Sequence, residues 1–232
     1  MQITIDEEYM KQGLVVFDLD GTLLRGLTVC EVLAESLGHL TRMRELESVI
    51  LQEDIVSARL EIAGWYQNTP IERLLHFLAR ATLAPGTREG IARLQNCGVE
   101  IAIASLTWEF AVEWFAQQLN IKHYRGTRLQ STGEIEHIFP IDKARLLQQW
   151  TSELGISSQN VAAVGDSQGD IDLLMEATHS FFVGSTMPAG LNHVTHLPNV
   201  DIVSLTDRIL YQFGIEYISS LQEQESHAIR SV

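Results

Sequence analysis

Cysteine is nearly absent from this 232-residue chain: Cys30 and Cys97 stand far apart, with no metal-ligand spacing between them. That excludes a thiolate-held metal site, and each residue sits in a helical apolar pattern that suits a buried free thiol. Positive charge is also scarce. Sixteen Lys and Arg face thirty Asp and Glu, a formal net charge of −14. Such a field opposes nucleic acid and anionic membrane surfaces, and it repels a phosphorylated ligand unless local cations or a metal invert it. No apolar run approaches the roughly 18 residues of a spanning helix. The opening stretch MQITIDEEYMKQG carries acids and no long apolar core, which argues against a signal peptide. Internal repeats and low-complexity segments are missing as well. These absences predict a soluble, cytoplasmic protein with neither nucleic-acid nor membrane partners.

What is present is ordinary for a folded domain, with 45% hydrophobic and 20% charged residues. Short apolar runs, LVVFD (14–18), VEIAIAS (99–105), VAAVGD (161–166) and SFFVG (180–184), read as strands buried on both faces. Helix-period segments fall at 87–97, 108–119, 142–154 and 170–177. The alternation predicts an α/β fold with a parallel sheet. The first interval breaks this rhythm, because residues 25–98 are far too many for one crossover. TVCEVLAESLGHL, EDIVSARLEIAGWYQ and IERLLHFLARA read as separate helices there, and Ala84-Pro85-Gly86 marks the return. Residues 25–83 are therefore expected to form a helical cap, inserted between the first two core strands of a domain made of 1–24 and 84–232. HYRGTRLQSTGEIEHIF (123–139) reads as a hairpin turning near Thr132-Gly133. The last dozen residues are polar and suit a fraying end.

The first three apolar strands each end in a functional residue. The first ends in Asp18 and Asp20, the second in Ser105, and the third in GDSQGD with Asp166 and Asp170; Lys143 opens a later helix. Taken singly, Asp-Gly is turn chemistry, a lone Ser is uninformative, and a lone Lys is a solvated charge. Together they lie at the carboxyl ends of successive parallel strands, where ligands bind in such sheets. Four clustered carboxylates suit a hard divalent cation. In this order and spacing, DLDGT (18–22), Ser105, Lys143 and GDSQGD (165–170) resemble the four motifs of the haloacid dehalogenase-like hydrolases. The insert is similar to the small cap of the phosphoserine-phosphatase-like branch.

The resemblance implies a Rossmann-like core and a Mg²⁺-dependent phosphatase acting on a small soluble phosphomonoester. Asp18 would be the nucleophile that forms an aspartyl-phosphate, and Asp20 the acid and base beside it, with a raised pKa. Asp18, the Asp20 carbonyl and Asp166 would hold Mg²⁺, supported by Asp170. Ser105 and Lys143 would bind the phosphoryl group. Gly21 lets the chain turn sharply. Thr22, Thr107, Arg59 and Glu31 are the candidates for substrate contact; Arg59 lies near where the branch carries a carboxylate-binding arginine. Two positions depart from that branch: Leu27 replaces its glutamate nine residues after the nucleophile, and Ser105-Leu106-Thr107 replaces its Ser-Gly-Gly. Trp65, Tyr66 and Trp108 suit core packing better than a pocket. A phosphomutase with the same chemistry and a non-catalytic binding protein on the same fold are the alternatives. Oligomeric state leaves no mark in the sequence.

Overall fold

The computed structural model describes residues 11–47 and 52–216. Most of the opening stretch and the polar tail lie outside them. The chain runs β1 (Gly13–Phe17), a wide turn, β2 (Leu24–Arg25), then helices α1 (Val29–Leu37), α2 (Leu40–Glu47), α3 (Gln52–Tyr66) and α4 (Ile71–Leu78). β3 (Thr82–Leu83), α5 (Thr87–Asn96), β4 (Val99–Trp108), α6 (Glu109–Gln118), β5 (His123–Leu129) and β6 (Ile135–Glu136) follow. The remainder is α7 (Pro140–Glu153), β7 (Val161–Gly165), α8 (Ile171–Glu176), β8 (His179–Phe182), β9 (Thr195–His196) and α9 (Ile202–Gln212).

Seven strands form one sheet in the order β6-β5-β4-β1-β7-β8-β9, parallel except for the β5–β6 hairpin. β1 is central and pairs in register with β4 (Val15 opposite Ile101) and with β7 (Val15 opposite Ala162). Its alternation explains the unbroken apolar run. Leu14 and Val16 pack with Leu147 and Trp150 of α7 and Leu173 of α8, while Val15 and Phe17 join Ile91, Phe115 and Ile209 on the other face. Both faces are thus covered, as an α/β sheet requires.

The insert leaves through β2 and returns through β3, which pair antiparallel as Leu24 with Leu83 and Arg25 with Thr82. α1 starts at Thr28, whose hydroxyl accepts the Glu31 amide while Glu31 accepts the Thr28 amide, and it stops at Gly38 with φ +81°. Leu33, Ile62, Tyr66 and Leu74 from the insert belong to the same buried cluster as Val15 and Phe17. The insert therefore shares its core with the sheet domain.

Three features go beyond the sequence reading. α2 adds a fourth helix to the insert, burying only Met43 and Leu46. α9 covers α5, with Asp201 accepting the Ser204 amide at its start. β4 continues past Ser105 because a register shift lets Trp108 pair with Thr127 of β5. The hairpin turns at Gly133, φ +87°. Trp108 and Tyr66 are core, in edge-to-face contact at 5.7 Å, and Trp65 stacks on His39. Because the core is shared, Leu33→Ala is expected to lower stability by roughly 2–5 kcal/mol. Urea unfolding should show this as one transition at a lower midpoint; a separate early transition would contradict the shared core.

Candidate active site

β1 lies between β4 and β7, so the residues just beyond these three strands meet at one end of the sheet. Asp18 follows β1, and its amide donates to the Val164 carbonyl at 2.9 Å, which fixes where the side chain emerges. The chain then makes the wide turn Leu19–Leu23, with Gly21 at φ +78°. A Cβ on Gly21 would also stand 2.0 Å from Asp166 Oδ2, so glycine serves both the turn and the close approach of the β7 loop. Thr22, fully buried, donates from Oγ1 to Asp166 Oδ1 at 3.4 Å.

Lys143 reaches this point from the first turn of α7 and is 1% exposed. Its ammonium donates to Asp18 Oδ1 at 2.7 Å and to Asp170 Oδ1 at 2.6 Å. Burial works against that charge, but Asp170 and Asp18 outweigh it and hold the ammonium above the ordinary lysine range. Asp170 uses its other oxygen to accept the Asp166 amide, the Ser167 amide and the Ser167 hydroxyl, all at 3.0 Å. The GDSQGD loop is thus wrapped around Asp170, and Gly165 leaves the space for it: a Cβ there would lie 2.4 Å from Asp170 Cβ.

Asp18, Asp166 and Asp170 each offer an oxygen within 4.8 Å of the others. One lysine does not balance three carboxylates. Burial and the Asp170 charge raise the Asp18 carboxyl well above the usual range despite Lys143, and the same causes push Asp166 up to about 6. An all-oxygen, anion-rich cluster of this kind fits a hard divalent cation, which would let the carboxylates stay ionised together. With both Asp170 oxygens occupied by protein donors, Asp18 and Asp166 are the members left to face an ion.

Asp20 stands apart from Lys143. Its Oδ1 accepts the Val29 amide at 2.7 Å, at the first residue of α1. Burial pushes its carboxyl up to about 7, against the pull of that amide, with Glu47 and Asp166 adding to the rise. Ser105 is buried two residues past Ile103, where the pairing of β4 with β1 ends, and its Oγ accepts the Thr107 amide at 3.3 Å. Thr107 lies 3.4 Å from Cys30 Sγ through its hydroxyl; burial pushes the Cys30 thiol up to about 12. Both cysteines are free and partly buried.

Like Thr22 and Thr107, the other two substrate-contact candidates are engaged by protein partners. Glu31 closes the capping box of α1 and accepts from Arg44 Nε at 2.9 Å. Arg59, 9% exposed, donates from Nη2 to the Leu106 and Ile138 carbonyls, both at 2.9 Å, and its Nη1 lies 3.2 Å from His137 Nδ1. Sequence reasoning missed Ser167, the Val29 amide and Glu47, whose carboxylate accepts the Thr28 hydroxyl at 2.6 Å near Asp20. Ser167 carried a signal in its place inside GDSQGD, whereas the other two depend on how the insert docks.

The chain matches the haloacid dehalogenase-like hydrolase family over residues 15–175. A phosphoserine phosphatase of Archaeoglobus fulgidus is 27% identical across 69% of this chain, and the match spans 49% of that protein's length. One from Methanocaldococcus jannaschii is 26% identical, over 72% of this chain and 83% of its own. A solved phosphoserine phosphatase, described as a phospho-aspartyl intermediate analogue, superposes with a TM-score of 0.71 at 20% identity, covering 89% of this chain and 100% of its own. A hydrolase of the same family from Salmonella enterica serovar Typhi gives 0.76 at 18% identity, over 89% and 73%. Among the described residues, no helix is long and apolar enough to cross a membrane. With its motif residues on adjoining strand ends and the family match covering most of its length, the chain belongs to the haloacid dehalogenase-like hydrolases, on their phosphoserine-phosphatase-like branch.

Proposed function

We propose that this chain is a Mg²⁺-dependent phosphatase that hydrolyses a small phosphomonoester through an aspartyl-phosphate on Asp18. The observation that carries the reading is the pairing of two carboxylates one residue apart in opposite surroundings. Asp18 is clamped by Lys143 through Oδ1, while Asp20 accepts a main-chain amide, has no cation bonded to it among the described residues, and is pushed up to about 7 by burial. That is a nucleophile beside an acid and base.

In the first step the free Asp18 oxygen attacks phosphorus as the ester P–O bond breaks, and the leaving oxygen takes the Asp20 proton. In the second step Asp20 removes a proton from water as it attacks the aspartyl-phosphate, releasing phosphate and restoring Asp18. Lys143 steadies the negative charge of nucleophile and phosphoryl oxygens, and the Ser105 hydroxyl, whose oxygen accepts the Thr107 amide at 3.3 Å, would donate to a phosphoryl oxygen. Asp18, Asp166 and the Asp20 carbonyl would hold Mg²⁺, whose charge neutralises the carboxylates and the phosphoryl oxygens. Asp170 positions Lys143 and the Asp166 loop, and Thr22 holds the Asp166 carboxylate. We assign residues 25–83 as the cap over a core of 1–24 and 84–232, supported by the β2–β3 ribbon at its base.

The named relatives are phosphoserine phosphatases, and the reading for this chain stays at small phosphomonoesters. Leu27 and the Leu106-Thr107 pair replace residues which that branch carries, and Arg59 is bonded to main-chain carbonyls. The test uses an aryl phosphate. Wild-type turnover should vanish with chelator and return with Mg²⁺, and Asp18→Asn should lose on the order of 10⁴-fold or more. Full turnover by Asp18→Asn would remove the nucleophile from this scheme. Gly165→Ala, which forces Asp170 away, is expected to lower kcat by about 10²-fold through misplacement of Lys143. Steady-state kinetics check this, and a kcat within threefold of wild type would contradict it.

A further inference from the structure

Arg59 is a cation taken out of water, and its bonded partners among the described residues include no carboxylate. It projects from α3 of the insert into the sheet domain, where Nη2 spans two main-chain carbonyls from different segments. Leu106 is the residue after Ser105; Ile138 lies five residues before Lys143. The same carbonyl of Leu106 accepts the Thr127 hydroxyl at 2.9 Å, and that hydroxyl in turn accepts the Ile138 amide at 3.3 Å. The guanidinium carbon lies 5.6 Å over the Phe139 ring, and Phe139 stacks on His137. Phe139 then donates its amide to Asp142 Oδ2 at 3.0 Å, which begins the helix that presents Lys143. One side chain of the insert therefore joins the loop carrying Ser105 to the segment that launches Lys143.

We propose that Arg59 is a positioning residue: seated from the cap, it fixes the Ser105-Leu106-Thr107 loop and the start of the Lys143 helix relative to each other. The chemistry fits the residue type. A planar guanidinium directs two Nη2 hydrogens to two acceptors while stacking on an aromatic ring, which an ammonium does not reproduce. The cost of burying its charge is offset only when both carbonyls are in place, so their spacing is held as long as the insert is docked. This role rests on the phosphatase reading for its kinetic consequence and on geometry alone for its structural one.

Two measurements separate these. Amide exchange of Arg59→Met, by mass spectrometry, reads the clasp without reference to activity. Protection at 105–107 and 138–143 should fall by about tenfold or more, while β1 and α9 keep theirs. Unchanged protection at those segments overturns the proposal, as does an equal loss across the whole chain, which marks general destabilisation. Kinetics on aryl phosphate, which has no carboxylate for an arginine to bind, then reads the consequence. Arg59→Met should lower kcat by roughly 10–100-fold with KM within about threefold. In a Ser105→Ala background the added loss should shrink to less than about threefold, because the two act as one unit. An unchanged kcat, or a loss of full size in that background, rejects positioning through Ser105. If wild type turns over no phosphate ester, the phosphatase reading falls and exchange alone decides the clasp. Arg59→Lys, which keeps charge and stem, provides the same two readouts should Arg59→Met not fold, with loosening at the same segments expected.

Discussion

The ammonium of Lys143, buried between Asp18 and Asp170, is the contact on which the geometry of the site depends. A buried ion pair contributes little by itself unless the remaining hydrogen-bonding capacity is also met, and removing one partner leaves a charge stranded. Here the condition is satisfied on the Asp170 side by three donors from Asp166 and Ser167. That requirement explains why the loop after β7 folds back on itself, and why Gly165 has no side chain to obstruct it. Helix α7, strand β1 and the β7 loop are thereby held at fixed distances by a single charge. The first carboxylate, Asp18, is left with Oδ1 tied to the ammonium and Oδ2 outside that pairing.

Asp20 is governed by a different constraint. Its hydrogen-bond donor is the first amide of α1, where the unpaired N–H groups of a helix begin. The carboxylate that would move protons is thus referenced to the insert, and the carboxylate that would attack is referenced to the sheet domain. Arg59 ties the insert to the Ser105 loop from the opposite direction. Proton transfer and phosphoryl binding would then both depend on how the insert is seated, although the two carboxylates belong to the sheet domain. A shared buried cluster running from Val15 to Leu33 and Leu74 supplies the stiffness this needs.

Most of the site was legible because strand ends are legible. Asp18, Ser105 and Asp166 follow apolar runs whose period and order define a parallel sheet, and a parallel sheet brings its carboxyl ends together. Lys143 and Asp170 were legible only as members of the ordered set. The losses have physical reasons. α2 buries two residues and carries little apolar signal. The extension of β4 to Trp108 depends on a register shift against β5, which no local pattern encodes. The partners of Arg59 are carbonyls, and every residue has one, so side-chain identity says nothing about which are met. Glu31 is the instructive case. Thr28 and Glu31 stand at capping-box spacing, a local signal that competes with a reading as a substrate contact.

Net charge sets the last condition. A chain at −14 repels a phosphate dianion at long range, so attraction has to be created within the site itself. Lys143 is already shared by two carboxylates and does not suffice. Arg25 sits near Asp166 and partly opposes the rise of its carboxyl, while its own Nη1 donates to the Thr22 carbonyl at 2.9 Å. Arg25 Nη2 is buried without a hydrogen-bond partner among the described residues, but one further unit charge does not balance the clustered carboxylates, and a divalent ion at Asp18 and Asp166 is the charge that would invert the field. In this arrangement metal binding and substrate binding would be coupled by electrostatics: without an ion the carboxylates would repel both each other and a phosphate, and with one they would share a single counter-charge. The acidic cluster that opposes an anion is the same feature that would select the cation able to receive one.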